Sequence, residues 1–351
     1  MTQITEGLIS KIDGSGMWDL IKSFPDHWKE ISDQTRDHDF KVDASAINNI
    51  CMSGMGGSAI GADLIRAYSY NTCPVPVQIV RHYDIPNWVN ENTLFVACSF
   101  SGNTEETLSA LDQAHKAGAQ CFAVTSGGSL LIQANEMDFD YIKIPGGMPP
   151  RAALAYSFVP LFRLFQYLGY LDEGEEALTE TQEYLANEVD LLANYEENNE
   201  AKALAGDIKD TLPVIYSDAR MLDPVHLRWR GQFEENAKTL AYGNVLPEMN
   251  HNEIVGWEQI AHLAGRLSVI FLRDAEDNER VQKRMEVTRE LVQEQAVSLH
   301  VLDSRGQSRL TRLFSLIQMA DWTSIYLALL TETDPTPIAP IDLLKSKLAE
   351  L

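Results

Sequence analysis

Four short apolar runs punctuate the first part of the chain: Ile50-Cys51-Met52, Val77-Gln78-Ile79-Val80, Leu94-Phe95-Val96-Ala97-Cys98, and Cys121 to Thr125. Helical periodicity fills the intervals between them. Apolar runs of strand length alternating with helical stretches predict a parallel sheet with helices on both faces. The alternation returns with Pro213-Val214-Ile215-Tyr216, Ser268-Val269-Ile270-Phe271-Leu272 and Val297-Ser298-Leu299-His300-Val301-Leu302. The expected fold is therefore α/β, with two similar units, each a parallel sheet in a three-layer α/β/α arrangement. Between them, Ala152 to about Tyr170 reads as an apolar helix, and the acidic stretch from Glu173 to Glu200 as a largely solvated helical connector. The expected domains are residues 1–170 and 211–351, joined by a connector over 171–210. Arg309 to Leu330 predicts a mostly buried helix, Asp334-Pro335-Thr336-Pro337 breaks it, and Ile341 to Leu351 predicts an amphipathic terminal helix.

Charge narrows the function classes. The 351 residues carry 51 acidic against 28 basic side chains, a formal charge of −23, which argues against the clustered basic surface that nucleic-acid binding needs. No stretch approaches the roughly 20 apolar residues of a membrane span, and Met1 to Glu6 lacks the basic flank and apolar core of a secretory signal. The expectation is a cytoplasmic protein with neither membrane nor nucleic-acid partner. Cys51, Cys73, Cys98 and Cys121 show no CxxC spacing, and three lie in or beside apolar runs, as reduced core thiols would. Without HxxxH spacing or paired cysteines, no metal site is expected.

Two turns carry the candidate chemistry. After Leu94 to Cys98 comes Ser99-Phe100-Ser101-Gly102-Asn103-Thr104, and then Glu105-Glu106-Thr107-Leu108 starts a helical pattern. Hydroxyls, a glycine and the amides of a helix N-terminus within six residues suit a phosphate dianion. Glu105 and Glu106 complement the helix dipole and are expected to point away from such a ligand. The second turn, Gly54-Met55-Gly56-Gly57-Ser58, also follows an expected strand. Its spacing is wrong for the dinucleotide fingerprint, and no Gly-Lys-Ser or Gly-Lys-Thr exists, so nucleotide binding is disfavoured. A phosphorylated small molecule fits better.

In the second half, Trp229, Phe233, Ala237 and Leu240 form the apolar stripe of a helical segment, and at about 100° per residue Arg228 and Glu235 share the opposite face. A polar, histidine-bearing loop follows, Pro247-Glu248-Met249-Asn250-His251-Asn252-Glu253.

The two turns resemble those of the sugar isomerase (SIS) domain. Together with Arg228-Trp229, Glu235-Asn236-Ala237-Lys238, the His251 loop, Pro149-Pro150-Arg151 and Leu344-Lys345, they resemble the bifunctional phosphoglucose/phosphomannose isomerases over nearly the whole chain. The resemblance implies a cofactor-independent aldose-ketose isomerase of phosphohexoses passing through an enediol. It implies that Gly57 and Ser58 contact substrate, that Ser99, Ser101 and Thr104 bind phosphate, and that Arg151 stabilises the enediolate. Glu235 becomes the base at C1 and C2, His251 the group that opens the ring, and Lys345 a further ring-opening residue, with Lys347 as its alternative. Thr336 becomes the candidate small residue admitting both C2 epimers. The implied assembly is a homodimer in which His251 completes the partner's active site.

Two rival readings remain at this point: another phosphosugar isomerase on the same domain, and a non-catalytic phosphosugar sensor. The Asn250 to Glu253 loop weighs against the first and the Glu235 and His251 pair against the second.

Overall fold

The apolar runs become parallel strands. In the computed structural model, which describes residues 3–197, 199–263, 265–348 and 350, β1 (Asn49–Gly54), β2 (Val77–Val80), β3 (Thr93–Ser99), β4 (Gln120–Thr125) and β5 (Asp140–Lys143) form one sheet. Its order is β2-β1-β3-β4-β5 and all neighbours are parallel. The chain winds outward from β1 to β2 and then crosses back to β3, so the carboxyl ends of β1 and β3 flank a topological switch point, where open α/β sheets bind ligands. Every residue of β3 is buried, as expected for a central strand covered on both faces.

A second sheet repeats the winding. β6 (Leu212–Asp218), β7 (Tyr242–Leu246), β8 (Leu267–Arg273) and β9 (Ser298–Asp303) are ordered β7-β6-β8-β9, again all parallel. Helices flank both sheets, so the α/β expectation holds. The edge strands β5 and β7 lay outside the apolar runs read from sequence.

Contacts divide the chain into two units that are discontinuous in sequence. Ser23–Ala186 with Gly306–Thr311 carries the first sheet, and Met1–Lys22, Asn187–Arg305 and Arg312–Leu351 carry the second. In the first unit Phe95, Ala97, Leu111, Ala114, Cys121 and Leu130 belong to one buried cluster. Cys51, Cys98 and Cys121 are buried and unbridged, and burial pushes each thiol up to about 12. In the second unit Trp18 meets Trp322 edge-on at 4.8 Å and Tyr326 at 5.5 Å between ring centroids, the arrangement aromatic quadrupoles favour.

Two sequence expectations are corrected. The acidic segment is not largely solvated: in the helix Glu175–Leu192, Ala177, Leu178, Thr181, Leu185, Val189 and Leu192 are buried. Their spacing of three and four residues makes an inward face, leaving the carboxylates on the other. One segment does reach membrane-span length. The helix Arg309–Leu330 has 22 residues and a mean hydropathy of 1.4 in its most apolar stretch, yet that stretch is wholly buried, which makes it a core helix.

Candidate functional site

The crevice at β1 and β3 is built from backbone turns and hydroxyls. Thr104 stands at the N-cap of the helix Glu105–Lys116, but its hydroxyl does not cap the helix. It pairs instead with Ser99 Oγ at 2.9 Å, which leaves the first-turn amides without a cap from the residue that normally supplies one. Ser58, at the start of the helix Gly56–Tyr68, accepts the Phe100 N–H at 2.9 Å and ties the two turns together. Ser101 is exposed and its Oγ accepts the Asn103 N–H at 3.2 Å. Glu105 is turned toward the Tyr83 hydroxyl, 3.4 Å away. Gly57 lies against the short turn Pro150–Ala152: a Cβ there would sit 2.9 Å from the Pro150 carbonyl. That contact brings Arg151, only 3 % exposed, to the same crevice as Gly57 and Ser58. The six residues expected to bind substrate thus share one edge of one sheet.

A third turn, missed in the sequence, buttresses them. Thr125-Ser126-Gly127-Gly128-Ser129 follows β4, and Ser126 N–H and Oγ both donate to the Phe100 carbonyl, at 3.1 and 2.6 Å. Asn103 Oδ1 accepts the Ser129 N–H at 3.0 Å, and Leu130 N–H reaches the Gly102 carbonyl at 2.9 Å. The signal was present: hydroxyls and glycines directly after an apolar run, as in the first two turns. Gly102, at φ +70°, presses so closely on this turn that a Cβ would lie 1.7 Å from the Gly127 carbonyl oxygen. Gly102→Ala must displace one turn or the other, and its left-handed backbone disfavours a side chain as well. We expect the variant to bind inorganic phosphate or a sugar phosphate at least about tenfold more weakly by calorimetry; an unchanged Kd would mean that the turn yields without harm.

The three residues expected to do chemistry lie on separate elements of the second unit. Glu235 is half-buried in the last turn of the helix Asp223–Asn236. That helix is held on two sides. Trp229 and Phe233 are fully buried, with Trp229 Nε1 donating to the Leu316 carbonyl at 3.0 Å. Arg228, expected on an outward face, is buried as well, because the helix Arg309–Leu330 covers it and supplies a partner. Its guanidinium grips Asp321 through Nε at 3.1 Å and Nη2 at 2.8 Å. Gln232 Nε2 adds a bond to Asp321 at 2.7 Å, and Asn236 Nδ2 meets Ser324 Oγ at 2.9 Å. Burial pushes the Asp321 carboxyl up, opposed by Arg228 and Gln232. Leu240 is not part of the apolar stripe: it is 72 % exposed, since the helix ends at Asn236.

His251 is exposed on the turn Glu248–His251, yet its loop is anchored on both sides. Asn250 Nδ2 donates to Thr288 Oγ1 at 2.8 Å. Glu253 accepts from the Tyr216 hydroxyl, from Tyr242 Oη at 2.9 Å and from Asn244 Nδ2 at 2.6 Å, which pins the loop to β6 and β7. Lys345 is exposed on the helix Ala339–Leu348, none of whose described residues is buried, while Lys347 Nζ lies 3.3 Å from Glu350. Thr336 is half-buried in the segment before that helix.

The edge of the second sheet that corresponds to the first sheet's crevice is unsuited to an anion. Asp218, Asp274 and Asp277 crowd there, each at most 6 % exposed. Burial, with Asp218 and Asp274 nearby, pushes the Asp277 carboxyl up to about 7. The cations nearby are engaged locally, Arg312 pairing with Asp274 at 2.9 Å and Glu276 at 2.6 Å, and Arg220 Nη2 donating to the Glu276 carbonyl at 3.2 Å.

Comparison with known proteins bears on the fold first. The C-terminal domain of glucosamine-fructose-6-phosphate aminotransferase from Francisella tularensis shares the fold at a TM-score of 0.72 and 14% identity, over 92% of this chain and 98% of that one. Residues 197–348 match the bacterial phospho-glucose isomerase C-terminal SIS domain. The part of the chain that carries the second sheet is therefore of the SIS-domain class. A bifunctional phosphoglucose/phosphomannose isomerase of Caldicellulosiruptor bescii is 41% identical over 340 residues, 95% of this chain and 99% of that one. Its counterpart in Thermoplasma volcanium is 37% identical over 331 residues, 93% and 99% of the two chains. The chain belongs to the bifunctional phosphoglucose/phosphomannose isomerase family.

Proposed function

We propose that this enzyme interconverts glucose 6-phosphate and mannose 6-phosphate with fructose 6-phosphate through an enediolate. The observation that carries the reading is the crevice at β1 and β3, where the Ser58, Ser99 and Thr104 hydroxyls meet the N-terminus of the helix Glu105–Lys116 and the turn bearing the buried Arg151 packs on Gly57. Such donors suit a phosphate, and their position suits the family to which the chain belongs. Ser99, Ser101 and Thr104 hold the phosphate, with Gly57 and Ser58 against the sugar. The reaction needs no external oxidant or cofactor, because the hydrogen removed from C2 of the aldose returns to C1 as the carbonyl moves.

Glu235 takes and returns that proton, and Arg151 offsets the negative charge of the enediolate. His251 opens the sugar ring from the partner of a homodimer; its exposure on an anchored loop supports a role outside its own subunit. Lys345 assists ring opening in preference to Lys347, whose ammonium faces Glu350. A planar enediolate loses the configuration at C2, so one site can serve both aldoses. Coupled assays of the full chain should show turnover of glucose 6-phosphate and of mannose 6-phosphate. Silence on both sugars would leave the sensor reading in its place.

A further inference from the structure

The helix carrying Glu235 ends in a conformation its sequence does not favour. Past Ala237 the chain reverses at Lys238, whose φ is +53°, and the Thr239 N–H returns to the Phe233 carbonyl at 3.1 Å. Left-handed residues at helix ends are usually glycine, since a Cβ crowds the following carbonyl. A lysine at this position needs a reason beyond closing the helix.

Its ammonium supplies one. Lys238 Nζ donates to the Glu235 carbonyl at 2.7 Å and to the Pro335 carbonyl at 3.1 Å. The first carbonyl belongs to the residue assigned as base. The second belongs to the Asp334–Pro337 segment, where Thr336 N–H is held by Asp334 Oδ1 at 2.9 Å and from which the Lys345 helix departs. One charge therefore ties the end of the Glu235 helix to a segment nearly a hundred residues later in the chain, and a charged donor makes the strong form of such a bond.

We propose that Lys238 is a positioning residue for the isomerisation, holding Glu235 and the Thr336 segment at a set separation; the proposal rests on Glu235 being the base. Lys238 acts through the backbone of Glu235 and not on the substrate. Its unfavourable backbone makes the proposal separable from a purely structural role. Glycine in its place relieves the left-handed conformation while removing the brace, so stability and turnover should part company. If the lysine merely closed the helix, they would move together.

The experiment compares Lys238→Gly, Lys238→Met and Glu235→Gln in the full chain, measuring kcat and KM for both sugar phosphates and the unfolding midpoint. Both Lys238 variants should lose about 10- to 100-fold in kcat, the scale of a small misplacement of a catalytic group, with KM changed by less than roughly twofold. Lys238→Gly should unfold at or above the wild-type midpoint. Wild-type kcat in Lys238→Gly overturns the proposal, as does a loss of kcat in that variant matched by a lowered midpoint. An active Glu235→Gln removes the base assignment itself, whereas an inactive Glu235→Gln beside a fully active Lys238→Gly removes only the role of Lys238.

Discussion

Glu235→Gln is expected to lower kcat by about 10²- to 10⁴-fold on both aldose phosphates, the usual contribution of a general base. Glutamine keeps the shape and length of the side chain but cannot take a proton from carbon. The backbone carbonyl that receives Lys238 is untouched, so the helix end should survive and the unfolding midpoint should stay at the wild-type value. KM should change little, because the hydroxyls proposed to hold the phosphate belong to a different set of residues. Steady-state kinetics would be paired with solvent-deuterium incorporation into the sugar, since a base that exchanges its proton labels C1 or C2. Incorporation at the wild-type rate in the variant would assign proton transfer to another group.

Asp321→Ala should produce the largest loss of stability, about 3–5 kcal/mol, the range for removing one partner from a buried ion pair. Arg228 and Asp321 are 5 % and 4 % exposed, so the change leaves a guanidinium without its bidentate partner where water cannot replace it. Gln232 loses its acceptor at the same time. The expected fall in unfolding midpoint is on the order of 10 °C. Replacing the pair together, as Arg228→Met with Asp321→Leu, should recover most of the loss, because two apolar groups remove both charges. A loss under about 1 kcal/mol in Asp321→Ala would put this pair on the scale of a surface salt bridge.

Local signals in the sequence located the core strands and the crevice, and non-local ones stayed hidden. β1, β3 and β4 announced themselves because strands covered on both faces need apolar side chains throughout. β5 reads Asp140-Tyr141-Ile142-Lys143 and β7 reads Tyr242-Gly243-Asn244-Val245-Leu246. These are edge strands, only partly buried, so Asp, Lys, Gly and Asn are tolerated and the apolar signal is diluted. The Ser99 to Thr104 turn was legible because strand, hydroxyls and helix start are contiguous. The face of Arg228 was misjudged for the opposite reason: Asp321, which allows it to be buried, comes 93 residues later. Periodicity sees only the helix on which a residue sits. Lys238 was hidden in the same way, its second carbonyl being 97 residues away.

The edge-on contact between Trp18 and the pair Trp322 and Tyr326 also imposes an order on biosynthesis. Nearly all of the unit built on the first sheet has been made by Ala186, and it can begin to close while translation continues. Met17, Trp18 and Ile21, buried in the finished protein, are made before any strand of either sheet. Of the ring partners of Trp18, Tyr195 comes 177 residues afterwards and Trp322 and Tyr326 about 300 residues afterwards, the last two tens of seconds later at roughly 5–20 residues per second. For that interval the apolar segment around Trp18 waits on the nascent chain without its last ring partners, and it is there that a chaperone would have the longest opportunity to bind.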